Sequence, residues 1–157
     1  AQVDRFMLKL KLGYPSAEEE RQILDRMGGA HPPLADAVTA IEELMQAREA
    51  FYAIYVDDRI KDYVVKLVHA TRAPREHKLD LEGLLQYGAS PRATLHLVGA
   101  ARGHAFLRGR GFVTPEDVKA MGPDVLRHRL ILSFEAEAES ITPDEVIQRV
   151  FDAVEVP

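Results

Sequence analysis

Helix-start signals recur along this chain, and they constrain its fold more than any other feature. Ser16-Ala17-Glu18-Glu19 is a capping box, and Thr39 with Glu42 forms a second. Asp57 is an N-cap before a third helical pattern, and Ser90-Pro91, Thr114-Pro115 and Thr142-Pro143 each pair an N-cap hydroxyl with proline at the first helical position. Each side chain would satisfy an N–H donor that a helix leaves unpaired at its start. A chain punctuated this way is predicted to be mainly α-helical.

Apolar spacing fills in the helices. The first runs to about Met27, is predicted to bury Ile23, Leu24 and Met27, and stops at Gly28-Gly29. The second carries Ile41, Leu44, Met45, Phe51 and Tyr52. The third has Ile60, Tyr63, Val64, Leu67 and Val68, the clearest amphipathic stripe in the sequence. The fourth places Thr94, Leu97, Val98, Ala101 and Ala105 on one face, where alanines permit close packing, and ends at Gly109 and Gly111. A fifth buries Val118 and Met121, and a last runs from Thr142 to about Ala153.

Between them, His31 to Ala37, with Pro32 and Pro33, reads as a loop or hinge. Ala73 to Ala89 reads as a long connection with a short turn at Leu81 to Leu85, and Leu130, Leu132 and Phe134 alternate in an extended stretch. Phe6, Leu8, Leu10 and Leu12 alternate with Lys9 and Lys11, the pattern of a half-buried strand. A lone strand needs neighbours, so this orphan strand predicts a partner domain.

At 157 residues and 17.6 kDa, a fold hides roughly 70% of the surface its unfolded chain exposes, enough for a core without staples. The chain has no Cys, which excludes disulfides and thiolate metal sites and points to a reducing, cytoplasmic compartment. The 20 basic against 25 acidic residues, net −5, count against a nucleic-acid or anionic-membrane surface. No apolar run approaches the ~20 residues that span a bilayer. The opening, Ala1-Gln2-Val3-Asp4-Arg5, has no initiator Met and no signal-peptide core. The expectation is a piece of something longer.

Several chemistries lack their residues. There is no G-x-x-x-x-G-K-[S/T] phosphate loop, and Ala53-Ile54-Tyr55-Val56-Asp57-Asp58 only superficially resembles a magnesium-binding strand, since Asp57 reads better as an N-cap. The six His, at 31, 69, 77, 96, 104 and 128, form no H-E-x-x-H or H-x-x-x-H pair. His96 and His104 stand roughly 12 Å apart along one helix. These are expected to be surface histidines, and no metal site is predicted. No G-x-S-x-G and no Cys offers a nucleophile.

Two arginines stand out. Arg92 lies in the first turn of the fourth helix, where a cation opposes the helix dipole but sits beside free N–H groups that attract anions. Guanidinium matches phosphate oxygens, so a phosphate contact competes with a surface salt bridge as the reading of Arg92. Arg5 precedes the strand. If the first five residues end a helix, a cation there is locally favourable without any ligand.

These segments carry a family resemblance. Ala1 to Leu10, followed by Gly13-Tyr14-Pro15-Ser16 and Glu18-Glu19-Glu20, resembles the end of the ATPase core in MoxR-type AAA+ proteins. Tyr55-Val56-Asp57, Thr71-Arg72, Gly88-Ala89-Ser90-Pro91-Arg92-Ala93, Gly109-Arg110, Val113-Thr114-Pro115-Glu116-Asp117-Val118 and His128-Arg129-Leu130 resemble that family's helical lid, in the same order. The likeness fades beyond Ser133. It implies that residues 1–14 are the C-terminal edge of an α/β ATPase core. Residues 15–157 would be a helical lid, with 133–157 an extended segment plus a terminal helix.

The resemblance further implies an ATP hydrolase that forms rings, typically hexamers, and matures other protein complexes in a chaperone-like way, often beside von Willebrand factor A-type partners. Arg92 matches the lid's sensor arginine, which reaches the γ-phosphate of ATP in the same subunit. Arg5 matches the arginine finger, which reaches the neighbouring subunit's nucleotide. Both would put positive charge where negative charge develops. The phosphate loop, magnesium-binding strand and first sensor are absent here. ATP and Mg2+ are therefore expected with the intact protein, and the 157 residues alone are expected to bind neither and to be inactive. Two other readings compete: a non-enzymatic helical module that binds a partner protein, and a nucleic-acid binder using Arg127, His128 and Arg129 or Arg72, Arg75 and Lys78. The net negative charge disfavours the second.

Overall fold

The computed structural model describes every residue except Ala1, Pro32 and Glu82, so the expectations that involve those three positions lie outside the described residues. Seven α-helices and one two-stranded antiparallel ladder make up the described chain. The helices are α1 (Ala17–Met27), α2 (Ile41–Ala53), α3 (Asp58–Ala70), α4 (Pro91–Leu107), α5 (Pro115–Leu126), α6 (Phe134–Ala138) and α7 (Pro143–Ala153). Strand β1 (Leu85–Tyr87) pairs with β2 (Ile131–Leu132), placing Leu85 opposite Leu132 and Tyr87 opposite Ile131. Short 3-10 turns cover Val3–Arg5 and Pro74–His77. The chain is mainly α-helical, as its helix starts require.

The caps explain where helices begin. Ser16 and Glu19 bond reciprocally, the Glu19 N–H donating to the Ser16 hydroxyl and the Ser16 N–H to the Glu19 carboxylate. Thr142 and Glu145 repeat this arrangement at α7. Asp57 caps α3 by accepting the Arg59 N–H at 2.9 Å, so it is an N-cap and not part of a magnesium-binding strand. At α2 the box sits one residue later than expected. Glu43, not Glu42, accepts from the Thr39 hydroxyl and the Ala40 N–H, because the helix starts at Ile41.

The core lies among α3, α4, α5 and α7. Tyr63, Val64, Leu67 and Val68 of α3 meet Leu97, Ala101 and Ala105 of α4, with Val118, Val125 and Leu126 of α5 and Val146, Ile147 and Val150 of α7 closing it. The alanine face of α4 lets α5 pack close along it. Met121 is only half-buried.

Three further expectations fail. Residues 6–12 form no strand: Phe6 and Met7 lie in a bend, the rest has no regular structure, and Phe6, Leu10 and Leu12 stay exposed. A strand needs a partner backbone, and β1 and β2 pair only with each other. The apolar stripe of α1 is also uncovered: Ile23, Leu24 and Met27 are each at least half exposed, because no core element of this chain faces them. Phe134 opens the short helix α6 rather than continuing an extended stretch, since the Ser133 hydroxyl accepts the Ala136 N–H and starts a helical turn. Among the described residues no helix is long and apolar enough to cross a membrane.

One close approach fixes where α4 starts. Thr71, buried at the end of α3, donates its hydroxyl to the Val68 carbonyl at 2.7 Å and accepts the Ala89 N–H at 3.0 Å. Gly88 passes so near that a Cβ there would fall 2.3 Å from the Thr71 carbonyl oxygen. Gly88→Ala must therefore push two backbones apart. It is expected to cost about 1–3 kcal/mol, read as a lower urea midpoint with an unchanged m-value.

Candidate functional site

The start of α4, the N-terminal turn and the end of α5 converge on one carboxylate. Asp4 accepts from the Ser90 hydroxyl at 3.0 and 3.2 Å and from Arg92 Nη1 at 3.1 Å, and its other oxygen lies 3.2 Å from Arg129 Nε. Ser90 holds the N-cap position of α4, but its hydroxyl bonds Asp4 in place of a helix N–H. Burial pushes the Asp4 carboxyl up. The Ser90 hydrogen bond and the charges of Arg129 and Arg92 outweigh it, so it titrates below the ordinary 3.8.

Arg129 anchors the arrangement. Its side chain is fully buried. It donates to the backbone carbonyls of Asp4 at 3.0 Å and Met7 at 3.2 Å, to those of Phe6 and Val125, and to His96 Nδ1. Burial pulls the guanidinium below its ordinary value, against the pull of Asp4. His96 also sits below its ordinary 6.5, first through burial and then through the facing Arg129 and Arg92, with His128 adding to them and Asp4 opposing. A neutral imidazole in the tautomer that leaves Nδ1 bare accepts from Arg129.

The neighbouring residues extend the clamp along the N-terminal segment. His128 Nε2 lies 3.0 Å from the Phe6 carbonyl, Arg127 donates to the Lys9 carbonyl, and the Lys9 N–H donates to the Asp124 carbonyl at 2.8 Å. Arg127 also pairs with Asp124 and Asp144, and Lys11 with Asp144. The Arg127-His128-Arg129 run thus holds a piece of its own chain, which removes it as a nucleic-acid surface. The sequence carries no signal for the pairings with the N-terminal segment, since they join residues more than 100 positions apart.

Of the expected site residues, Arg92 joins this cluster through its side chain, and Arg5 follows Asp4 in the chain. Arg92 is half exposed, with one nitrogen on Asp4. Arg5 is exposed in the turn that carries Asp4, its guanidinium 5.7 Å from the centroid of the Phe6 ring. Arg72 takes no part in this cluster. Among the described residues no group of three or more His, Cys, Asp or Glu side chains could hold a metal.

A second buried ionic joint links α4, α5 and the segment between them. Asp117 is completely buried and accepts from Arg110 Nη1 and the Thr114 N–H, each at 2.8 Å, with His104 Nδ1 at 2.6 Å. Burial pushes its carboxyl up, but the Arg110 bond, the Thr114 N–H and His104 hold it far below the ordinary range. Nearby, Tyr55 pairs with Phe112 in a single parallel bridge, tying this corner to the start of α3. So His96, His104 and His128 are not idle surface histidines; each is bonded in a joint.

Comparisons with known proteins bear on the chain as a whole. The AAA lid domain family matches residues 78–150. Chaperone MoxR1 of Mycobacterium tuberculosis is 45% identical over all of this chain, which spans 42% of that protein. Protein MoxR of Paracoccus denitrificans is 32% identical over 98% of the chain and 49% of its own length. From end to end the chain is similar to MoxR-type AAA+ proteins. A crystal structure from Cytophaga hutchinsonii, described as a candidate ATPase, superposes with a TM-score of 0.93 at 34% identity, covering 99% of this chain and 48% of the other. The chain thus spans less than half the length of the relatives it matches.

Two measurements test the joints. Asp117→Ala leaves the Thr114 N–H, His104 and Arg110 without their shared acceptor and is expected to cost about 1–3 kcal/mol, read by urea denaturation. The second is pH dependence. His96 and His128 both bind protons more weakly folded than unfolded. Their contribution is therefore present above the unfolded value of about 6.5 and is lost as pH falls below it. The urea midpoint is expected to drop from about pH 7 to about pH 5, and His96→Gln to flatten that slope.

Proposed function

We propose that this chain is the C-terminal part of an ATP-hydrolysing ring machine: residues 1–14 form the edge of the ATPase core and residues 15–157 the lid. Arg92 is the sensor arginine that reaches the γ-phosphate of ATP in the same subunit, and Arg5 is the finger that reaches the neighbouring subunit's nucleotide. The observation that carries this reading is the half-exposed Arg92 guanidinium, held by one nitrogen on Asp4, the residue that precedes exposed Arg5. Arg92 has donor capacity to spare, which fits an anionic phosphate.

ATP with Mg2+ supplies the phosphoryl group and its neutralising cation. This chain contributes two positive charges, one in cis and one in trans, where negative charge grows. The phosphate loop and metal ligands belong to the longer protein, so the 157 residues alone are inactive. The ring is a homo-oligomer, a hexamer by family resemblance, working in the cytoplasm on client protein complexes, with von Willebrand factor A-type proteins as partners. The lid acts as a lever: loss of the γ-phosphate deprives Arg92 of its partner, and the joints near Gly13-Tyr14-Pro15 and Gly28-Gly29 take up the movement.

A second reading, a non-enzymatic interaction module, is supported by the uncovered apolar residues of α1 and α2, including Ile23, Leu24, Ile41 and Leu44. The deciding experiment is ATP turnover by the full-length protein. Arg92→Ala is expected to lower it at least ~100-fold with an unchanged circular dichroism spectrum. Wild-type turnover in that variant would favour the interaction module.

A further inference from the structure

We propose that Asp4 is a positioning residue for Arg92: its carboxylate tethers one corner of that guanidinium and leaves the remaining donors turned toward a nucleotide phosphate. This rests on the reading of Arg92 given above. The tether is tertiary, since Asp4 and Arg92 lie 88 positions apart. Its two ends differ in freedom. The Asp4 side chain is only 25% exposed, and the Ser90 hydroxyl and buried Arg129 hold it in place. The Asp4 backbone is held as well, because Arg129 also takes its carbonyl. Arg92 is the looser partner at 50% exposure.

A guanidinium carries five N–H donors. Among the described residues Arg92 directs only Nη1 to an acceptor, and that acceptor is Asp4. A long side chain fixed at one corner loses rotamer freedom before the ligand arrives, which is how a site holds a reacting geometry. The same short turn, Val3–Arg5, carries both Asp4 and Arg5. Fixing Asp4 on α4 therefore also fixes the backbone turn that carries Arg5. Arg129 acts one step further back: it holds the turn that holds the tether.

The test is a double-mutant cycle on ATP turnover with Mg2+ by the full-length protein. Asp4→Ala is expected to lower kcat about tenfold or more while shifting KM for ATP less than about threefold. Asp4→Asn, which keeps shape and an acceptor oxygen, should fall between it and wild type. It carries the comparison if Asp4→Ala fails to fold. In an Arg92→Ala background, Asp4→Ala should cost no more than about twofold further, because Asp4 acts through Arg92. Losses that multiply would overturn the tether, assigning Asp4 only to the N-terminal turn. Full turnover in both Asp4 variants, with turnover lost in Arg92→Ala, would overturn the tether and leave the role of Arg92 standing. Full turnover in Arg92→Ala would remove both.

Discussion

Taking a guanidinium out of water costs several kcal/mol unless its donors are met. The Arg129 side chain is wholly buried, and its two terminal nitrogens donate to backbone carbonyls of Asp4, Phe6, Met7 and Val125 and to the ring of His96, while Nε, which makes no hydrogen bond, faces the Asp4 carboxylate as an ion pair. Because these acceptors come from three parts of the chain, one charge forces them together. The N-terminal turn cannot leave without stranding Arg129. The placement of Asp4, and through it of Arg92 and Arg5, follows from that constraint.

Asp117 does the same at the other end of α4. It is a buried carboxylate whose burial cost is outweighed by Arg110, Thr114 and His104. The two joints differ in exposure of their outer members. Arg110 is held by both carboxylate oxygens of Asp117, whereas Arg92 touches Asp4 through one nitrogen. The first geometry suits a fixed corner. The second suits a group that must accept a ligand. Between them, the apolar contacts of α3, α4, α5 and α7 supply stability, and the ionic joints supply orientation.

Local sequence signals were read well where the physics is local. Capping at Ser16, Asp57 and Thr142 and the stripe from Ile60 to Val68 involve residues within one or two helical turns, and the structure reproduces them. The faces of α1 and of residues 6–12 were misjudged for the opposite reason. Periodicity reports which side would be buried, not whether this chain contains something to bury it against. The two site arginines were legible as residues that a fold alone does not need. Their common partner, Asp4, was not, since no spacing rule links positions 4 and 92.

Composition and capping by themselves determined that this chain is mainly helical, where most helices begin, and which faces are apolar. Those properties rest on backbone N–H groups and side chains within a turn or two of each other. Only the tertiary structure decided that the alternating N-terminal residues run as a strap and not a strand. It also decided that Arg127, His128 and Arg129 grip that strap, and that Asp4 joins Arg92 to Arg129. Each of those outcomes depends on buried charges finding acceptors far away in sequence, and that search is settled by packing.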